Sequence, residues 1–457
     1  MNQQIPNPYS HQIDTTNFVI ENPRCLITSD PGTGKTRAVL DAHVSLGGKT
    51  LVLAPLSILE AAWVEDINKF QPDIKHGVAY AKNREKIFTD PTFEMVITNF
   101  EAVNFLQKNL HLLKSFNTIV IDEFTAFKNR EAKRSKNLKN IIPYFNNRIA
   151  LSGTPNTNSI LDLWHPVYLI DEGKRLGQRF YAFRSQVCTP RFNGFANEWV
   201  DKPGIEEIVA DRLKDIIIRH ALEDCIDLPD NIVHTVYTTL SPKVAVMYKT
   251  LAEESVLYTQ QGTINAINAG ARVKKLLQLI SGGVYDQEGN TQYFHQDRYD
   301  LVMGLVDARA HSLVAFNWKH ERDALIKIAE KKKISYELID GSVPPQKRKD
   351  IVARFQAGQA KVLFAHPQSA SHGLTLTKAT TCIWCSPTYN AEHFQQFNRR
   401  IHRAGQTKKT ETILITARDT WEESVYDKLN GKLGRMENLL HILSEVNRAS
   451  KTNNNST

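Results

Sequence analysis

The segment Ser29-Asp30-Pro31-Gly32-Thr33-Gly34-Lys35-Thr36 follows the short apolar run Cys25-Leu26-Ile27 and precedes a stretch with helical periodicity. Glycines at this spacing allow a tight turn whose backbone N–H groups face a polyphosphate, and the following helix adds its positive N-terminal dipole. Lys35 is expected to reach the β- and γ-phosphates, and the Thr36 hydroxyl to bind Mg²⁺. The first glycine of the usual pattern is replaced by Ser29. The segment predicts a phosphate-binding loop, although such turns also occur in ordinary loops.

Two carboxylates follow another apolar run further along the chain. Asp122 and Glu123 come directly after Ile119-Val120-Ile121. In a nucleotide hydrolase the aspartate binds the Mg²⁺ shell, and the glutamate orients and deprotonates the attacking water. The same pair is elsewhere a simple loop or helix cap. Because a phosphate-binding loop lies upstream, we interpret the pair as catalytic.

Small hydroxyl residues follow the apolar run that ends at Leu151. Ser152 and Thr154, in Ser152-Gly153-Thr154-Pro155, can contact the carboxylate pair and relay the nucleotide state. A simple tight turn explains the same residues equally well. Both interpretations stay open from the sequence.

Two arginines lie close together near the end of the chain. Arg400 and Arg403 are three residues apart, so they would share one face of a helix. Paired guanidinium groups suit a triphosphate, whose charge spreads over several oxygens in the transition state. A solvated basic helix is the alternative interpretation.

Composition favours a globular protein with a polyanionic partner. The chain has 457 residues, with 57 Lys and Arg against 49 Asp and Glu, a net charge of +8 and a pI near 9.0. Such an excess favours nucleic acid but is also common in proteins that bind none. Five scattered cysteines, no secretory start and no long apolar run predict a cytoplasmic protein without a membrane span.

The rhythm of short apolar runs and helical segments predicts the fold class. Runs apolar on both faces, alternating with helices, are typical of a parallel sheet covered on both sides. The pattern occurs twice, so we expect an α/β chain with two tandem parallel-sheet domains. The predicted boundaries are a first domain at 1–167, a partly helical insertion or linker at 168–230, a second domain at 231–448 and a disordered tail at 449–457.

The order and spacing of these motifs resemble superfamily-two helicases of the Swi/Snf-like branch, and the compact form is most like phage-borne members. The resemblance extends from Tyr9-Ser10-His11-Gln12 to about Leu429. It includes Leu53 to Leu59 with Trp63, Val96 to Glu101, Asp122 to Asn129, Ser152 to Pro155, Ile218-Arg219, Asp340-Gly341-Ser342 with Arg348, His372 to Thr377 and Gln396 to Gln406.

The resemblance implies two RecA-like domains that bind ATP and Mg²⁺. By family position, the nucleotide is bound by Gln12, Gly32, Thr33, Gly34, Lys35, Thr36 and Gln396; Mg²⁺ by Thr36 and Asp122; and catalysis uses Lys35, Asp122, Glu123, Arg400 and Arg403. Ser152 and Thr154 would couple nucleotide state to motion. Nucleic acid would be contacted by Pro55, Leu56, Ser57, Thr98, Asn99, Ser369, Thr375 and Thr377.

The expected function is an ATP-dependent DNA translocase or helicase that acts on duplex or branched DNA in replication, recombination or repair. An RNA helicase and an ATP-gated nucleic-acid-binding switch are the alternatives. The basic run 128–136 either contacts phosphates or forms a solvated helix face. The aromatic and basic segment from Phe180 to Arg191 is the place to look for a strand-separating element. The sequence does not identify a protein partner.

Overall fold

The computed structural model describes residues 5–155, 159–192, 197–254, 256–259, 262–265, 269–286, 288–370 and 373–454. The chain forms two compact units. The first contains Met1–Asp227 and Lys432–Thr457, and the second contains Leu228–Gly431.

The first unit is built on a parallel sheet. Its strands are β1 (Arg24–Ile27), β2 (Lys49–Ala54), β3 (His76–Ala79), β4 (Met95–Asn99), β5 (Phe116–Asp122), β6 (Asn147–Leu151), β7 (Cys188–Phe192), β8 (Asn197–Asp201) and β9 (Ile217–Ile218). Its helices are α1 (Ser10–Glu21), α2 (Lys35–Leu46), α3 (Glu65–Phe70), α4 (Arg84–Thr89), α5 (Ala102–Lys108), α6 (Lys133–Ile141), α7 (Trp164–Asp171), α8 (Phe180–Val187), α9 (Ile205–Leu213) and α10 (Leu222–Cys225).

Within the described residues, seven strands form this sheet in the order β3-β4-β2-β5-β6-β1-β9, and every pairing is parallel. Strands β2, β4 and β5 are buried along almost their whole length, as expected for a sheet covered on both faces. Strands β7 and β8 pair separately as an antiparallel hairpin. Since the sheet is parallel, the motifs that follow β1, β2, β4, β5 and β6 all lie at its carboxyl edge.

The second unit repeats the architecture. Its strands are β10 (Asn231–Thr238), β11 (Val256–Thr259), β12 (Gly262–Asn265), β13 (Gly283–Tyr285), β14 (Thr291–Tyr293), β15 (Ser312–Ala315), β16 (Tyr336–Ile339), β17 (Val362–Ala365), β18 (Thr381–Trp384) and β19 (Thr410–Ala417). Its helices are α11 (Pro242–Glu254), α12 (Ala269–Ser281), α13 (Asp297–Asp307), α14 (Lys319–Lys331), α15 (Pro345–Gln356), α16 (Pro367–Ala370) and α17 (Ala391–Asn398), followed by α18 (Trp421–Asn454).

Six of the described strands form a second parallel sheet in the order β10-β19-β18-β15-β17-β16. The pairs β11-β12 and β13-β14 are separate antiparallel hairpins. The predicted fold class, two tandem α/β domains with parallel sheets, is confirmed.

The units divide the chain differently from the boundaries expected from the sequence. The predicted insertion at 168–230 belongs almost entirely to the first unit. Its Phe183 and Val209 are buried in the same core cluster as Ile119 of β5, and β9 extends the first sheet beside β1. A strand of two residues leaves no periodicity in the sequence, which is why this extension was not foreseen.

Helix α18 also crosses a predicted boundary. Residues from Lys432 onward belong to the first unit, although the sequence assigned 231–448 to the second domain. The side chains of Met436, Leu439, Leu440 and Leu443 have the i, i+3, i+4, i+7 spacing of one helix face and are buried in the first unit's core. The helix runs to Asn454, into the segment predicted as a tail, whose last three residues lie outside the described part.

Candidate nucleotide-binding site

The phosphate-binding loop connects β1 to α2 and depends on two left-handed glycines. Gly32 has φ +93° and Gly34 has φ +81°, conformations that residues with a Cβ rarely adopt. Gly34 immediately precedes the first residue of α2. A Cβ on Gly34 would also overlap the Gln12 side-chain amide nitrogen. Both the turn and the neighbouring side chain therefore require glycine at this position.

Helix α1 holds the loop from one side. Gln12 Nε2 donates to the Thr33 carbonyl at 3.2 Å, and His11 Nε2 reaches the same oxygen at 2.8 Å. Gln12 Oε1 in turn accepts from the Tyr9 backbone N–H at 3.0 Å. Gln12, which the family position predicts to bind the nucleotide, is thus packed against the loop, where it also fixes the position of Thr33.

The segment after β9 holds the loop from the other side. Arg219 pairs with Asp30 at 2.9 Å, with both side chains almost fully buried, and it donates to the Thr28 carbonyl at 2.7 Å. The Leu222 N–H donates to the second Asp30 oxygen at 3.1 Å. The His220 N–H donates to Ser29 Oγ at 3.0 Å. The serine that replaces the first glycine therefore accepts a hydrogen bond that glycine could not.

The Lys35 side chain folds back onto the phosphate-binding loop. Its ammonium donates to the carbonyls of Ser29 at 2.8 Å and Asp30 at 3.2 Å. Burial lowers the pKa of Lys35, while the charges of Glu123 and Asp122 oppose that shift. The lysine and the two carboxylates, which are far apart in sequence, thus interact electrostatically in one site.

Asp122 ends β5 in a buried position. Trp63 Nε1 donates to Asp122 Oδ2 at 2.9 Å, which fixes the orientation of the carboxylate. Burial raises the pKa of Asp122, while the Trp63 hydrogen bond and the Lys35 charge lower it. A carboxylate in this setting gains stability from a nearby cation.

Glu123 has φ +56° and ψ +58°, a left-handed conformation that is uncommon for a residue with a Cβ. Ser152 Oγ lies 3.3 Å from Glu123 Oε2 and accepts from the Thr154 N–H at 3.1 Å. The Thr154 hydroxyl is buried and has no hydrogen-bond partner among the described residues. The predicted contact between the hydroxyl motif and the carboxylate pair is therefore present through Ser152.

In the second unit, both candidate arginines converge on one backbone carbonyl. Arg400 Nη1 donates to the Leu374 oxygen at 3.1 Å, and Arg403 Nη1 donates to it at 2.9 Å. Helix α17 ends at Asn398, so the expectation that a helix face presents this pair is wrong. The turns after the helix bring the two guanidinium groups together instead.

Two buried glutamines lie in the same region of the second unit, and they differ in how well their side chains are hydrogen-bonded. Gln406 Nε2 donates to the carbonyls of Thr377, Ala379 and Ile401 at 3.0 to 3.1 Å. Gln396 is buried, and its Oε1 has no hydrogen-bond partner in the described part of the chain.

The candidate nucleic-acid contacts differ in accessibility. Leu56 is 40% exposed, and Pro55, Ser57, Ser369, Thr375 and Thr377 are half-buried. Thr98 is fully buried and donates to the Ala79 carbonyl at 2.6 Å, so its hydroxyl does not face solvent. Asn99 is also buried and accepts from Arg84 at 2.7 Å. These two residues end β4, which is flanked by β3 and β2, and this position explains their burial. His372 lies outside the described residues.

Sequence reasoning did not assign roles to Trp63, Arg219 and His220, which support the site. Trp63 and Arg219 were named only as members of segments that resemble the family's motifs. Their partners are Asp122, Ser29 and Asp30, far away in sequence. Only the pairing of β9 with β1 brings the 219–222 segment to the phosphate-binding loop.

A parallel sheet with a phosphate-binding loop after one strand and a carboxylate pair after another defines a P-loop nucleotide hydrolase. The family follows from comparison with known proteins. Residues 11–284, more than half of the chain, match the SNF2-related domain, and residues 297–405 match the helicase conserved C-terminal domain. The chain belongs to the SNF2-related family of superfamily-two helicases, and its enzyme class is that of an ATP hydrolase.

Three known proteins show what this chain is similar to. Putative protein p41 of Acyrthosiphon pisum secondary endosymbiont phage 1 is 28% identical, over 96% of this chain and 98% of that protein. Chromodomain-helicase-DNA-binding protein 1-like of Danio rerio is 24% identical over 90% of this chain, which spans only 41% of that protein. The solved Sulfolobus solfataricus SWI2/SNF2 ATPase core in complex with dsDNA is 23% identical, with a TM-score of 0.45 and coverage of 96% and 95%.

Helices long and apolar enough to cross a bilayer are absent from the part of the chain that the structure describes.

Proposed function

We propose that the protein hydrolyses ATP to move along duplex or branched DNA. The observation that carries this proposal is the interaction of Lys35 with Asp122 and Glu123 at the carboxyl edge of the first sheet. These are the groups that phosphoryl transfer to water requires. The contact of Ser152 with Glu123 supports a route from nucleotide state to movement.

Each group has a distinct task in the proposed hydrolysis. Lys35 leaves its loop carbonyls to bind the β- and γ-phosphates. Glu123 orients the attacking water and accepts its proton. Arg400 and Arg403 supply positive charge to the transferring phosphoryl group.

The proposed cofactor is Mg²⁺, which when bound offsets the charge of the phosphate oxygens. The residues present fit this ion, because the Asp122 carboxylate and the Thr36 hydroxyl are hard oxygen ligands and Trp63 orients the former. The described residues contain no group of three or more His, Cys, Asp or Glu that could hold a metal. That absence agrees with an ion bound mainly by phosphates and water.

Two observations support DNA as the partner. The family relatives include a protein named as a DNA-binding helicase, and the chain carries a net charge of +8. Branch migration and fork remodelling, in replication, recombination or repair, are the finer roles that we propose. The phage relative, which matches almost the full length of both chains, supports action in a host cytoplasm.

The test is the steady-state ATPase rate with blunt duplex, a four-way junction, single-stranded DNA and RNA at matched nucleotide concentration. Glu123→Gln serves as the control for contaminating hydrolases. Stimulation by duplex but not RNA supports the proposal, and a further increase with the junction supports a role at branches. Stimulation by RNA alone would identify an RNA helicase. No stimulation by any nucleic acid would favour the nucleotide-gated switch.

A further inference from the structure

An exposed surface of the first unit combines cations with aromatic rings. The Arg130 guanidinium lies 4.4 Å from the Phe180 ring centroid and 4.7 Å from that of Tyr181. The Arg184 guanidinium lies 5.0 Å from the Tyr181 ring centroid and 3.9 Å from that of Trp199. Arg130, Tyr181, Arg184 and Trp199 form a continuous row, which we call the cation–aromatic row.

The row continues onto the β7-β8 hairpin. Pro190 is the cross-strand partner of Trp199, and Phe192 follows Pro190 by two residues. Residues directly opposite, and residues two apart along a strand, share one face, so Phe192 lies on the face of Trp199. Phe192 is 69% exposed and Tyr181 is 59% exposed. Packing of the protein core therefore does not explain why these two positions are aromatic.

The charge around the row favours an anionic ligand. Residues 128–136 contain five Lys or Arg and one carboxylate, and residues 179–202 contain four Lys or Arg and two carboxylates. The contact of Arg130 with Tyr181 places these two segments side by side. Exposed aromatic rings beside guanidinium groups suit single-stranded nucleic acid, because bases stack on the rings while phosphates pair with the cations.

The base of the hairpin is fixed to the rest of the unit. Asp201 accepts from Ser159 Oγ at 2.6 Å and from the Ile160 N–H at 3.1 Å. Ser159 is five residues after Thr154, and Arg130 is seven residues after Glu123. The surface is thus connected to the segments that follow two of the nucleotide-site motifs.

We propose that the cation–aromatic row and Phe192 bind an unpaired DNA segment at a branch, with a base stacked on Tyr181 or Phe192 and the phosphates against Arg130 and Arg184. This inference rests on the proposed function and names its substrate as DNA with a single-stranded arm. The inner contacts, such as Arg184 with Trp199, also brace the hairpin. The proposal therefore depends on the two exposed rings.

The experiment measures fluorescence anisotropy of the full chain with a labelled fork that has single-stranded arms and with a blunt duplex. Phe192→Ala and Tyr181→Ala are compared with Tyr144→Ala, which removes an exposed ring elsewhere in the first unit. Thermal melting checks that each variant folds. We expect the two surface variants to weaken fork binding roughly fivefold to a hundredfold, the effect of losing one base–aromatic stack, and duplex binding less than twofold.

Phe192→Tyr should retain fork binding, because a ring remains available for stacking. Equal weakening on both probes would overturn the assignment to an unpaired base. Unchanged fork binding in Phe192→Ala and Tyr181→Ala would overturn the proposed role of this surface and leave the proposed function in place. A wild-type protein that binds neither probe would overturn the proposed function and the surface together.

Discussion

Replacing Gly34 with alanine tests how the phosphate-binding loop and Gln12 depend on each other. Alanine at φ +81° costs about 1–2 kcal/mol of backbone strain. Its Cβ would also displace the Gln12 amide, so the hydrogen bond to the Thr33 carbonyl is lost at a further cost of about 0.5–1.5 kcal/mol. We expect Gly34→Ala to lower the free energy of unfolding by about 1.5–3.5 kcal/mol and to weaken binding of ATP, measured by denaturant unfolding and by titration with a fluorescent nucleotide.

Gly204 provides a matched control, because it precedes the first residue of α9 in the same left-handed region, with φ +72° and ψ +12°. A Cβ there meets only Glu207 Oε2, at an ordinary contact distance of 3.8 Å. Gly204→Ala should therefore show the strain alone, about 1–2 kcal/mol, with unchanged ATP affinity. In a Gln12→Ala background, Gly34→Ala should likewise lower the free energy of unfolding by the strain energy alone, because the overlapping side chain is gone. Equal effects of the two glycine substitutions on both stability and ATP affinity would refute the reasoning.

The remaining predictions concern the carboxylate, the arginine pair and a buried acid. Glu123→Gln should abolish turnover while ATP still binds, as measured by hydrolysis and nucleotide titration; substantial residual hydrolysis would remove Glu123 from the role of base. Arg403→Ala should reduce the rate about 10³-fold, whereas the exposed Arg418→Ala should not; a loss below tenfold would contradict the assignment. Burial raises the pKa of Glu321 to about 7. A carboxyl with a raised folded-state pKa stabilises the fold below its unfolded value of 4.5, and this contribution disappears as the pH rises through 7. The stability of the wild type relative to Glu321→Gln should thus fall by about 3 kcal/mol over that range, measured by urea unfolding. A pH-independent difference would contradict the prediction.

The parts of the site that follow strands were predictable from sequence, because each motif contains its own chemistry. Lys35 and Asp122 stand next to apolar runs, and the parallel sheet brings those ends together. The support of these residues was not predictable. Trp63 and Arg219 act through partners far away in sequence, and a single tryptophan or arginine has no local signature. The prediction for Arg403 has a mixed outcome. Its guanidinium lies near that of Arg400, as expected, but the two side chains do not share a helix face.

The burial of Thr98 shows that predicting a DNA contact from family position differs from predicting a nucleotide-site residue in the same way. The residues of the first unit that we propose to act on the nucleotide are defined by chemistry at the sheet edge, and Lys35, Asp122 and Glu123 interact there. Contacts to DNA are defined by accessibility, which the family position does not determine. Thr98 and Asn99 end β4, an interior strand of the sheet, and are buried, while Leu56 begins the short 3-10 helix after β2 and is exposed.

The segment expected to be an insertion connects the two sites that we propose. It includes Tyr181 and Arg184 of the cation–aromatic row in α8, and it continues through the β7-β8 hairpin and α9. It then reaches β9 and the 219–222 residues that hold Ser29 and Asp30. Because β9 is part of the first sheet, this path is made of packed elements of one unit. A DNA arm held by Tyr181 or Phe192 would thus be bound by the same segment that positions the phosphate-binding loop, which provides a physical basis for linking branch recognition to ATP hydrolysis.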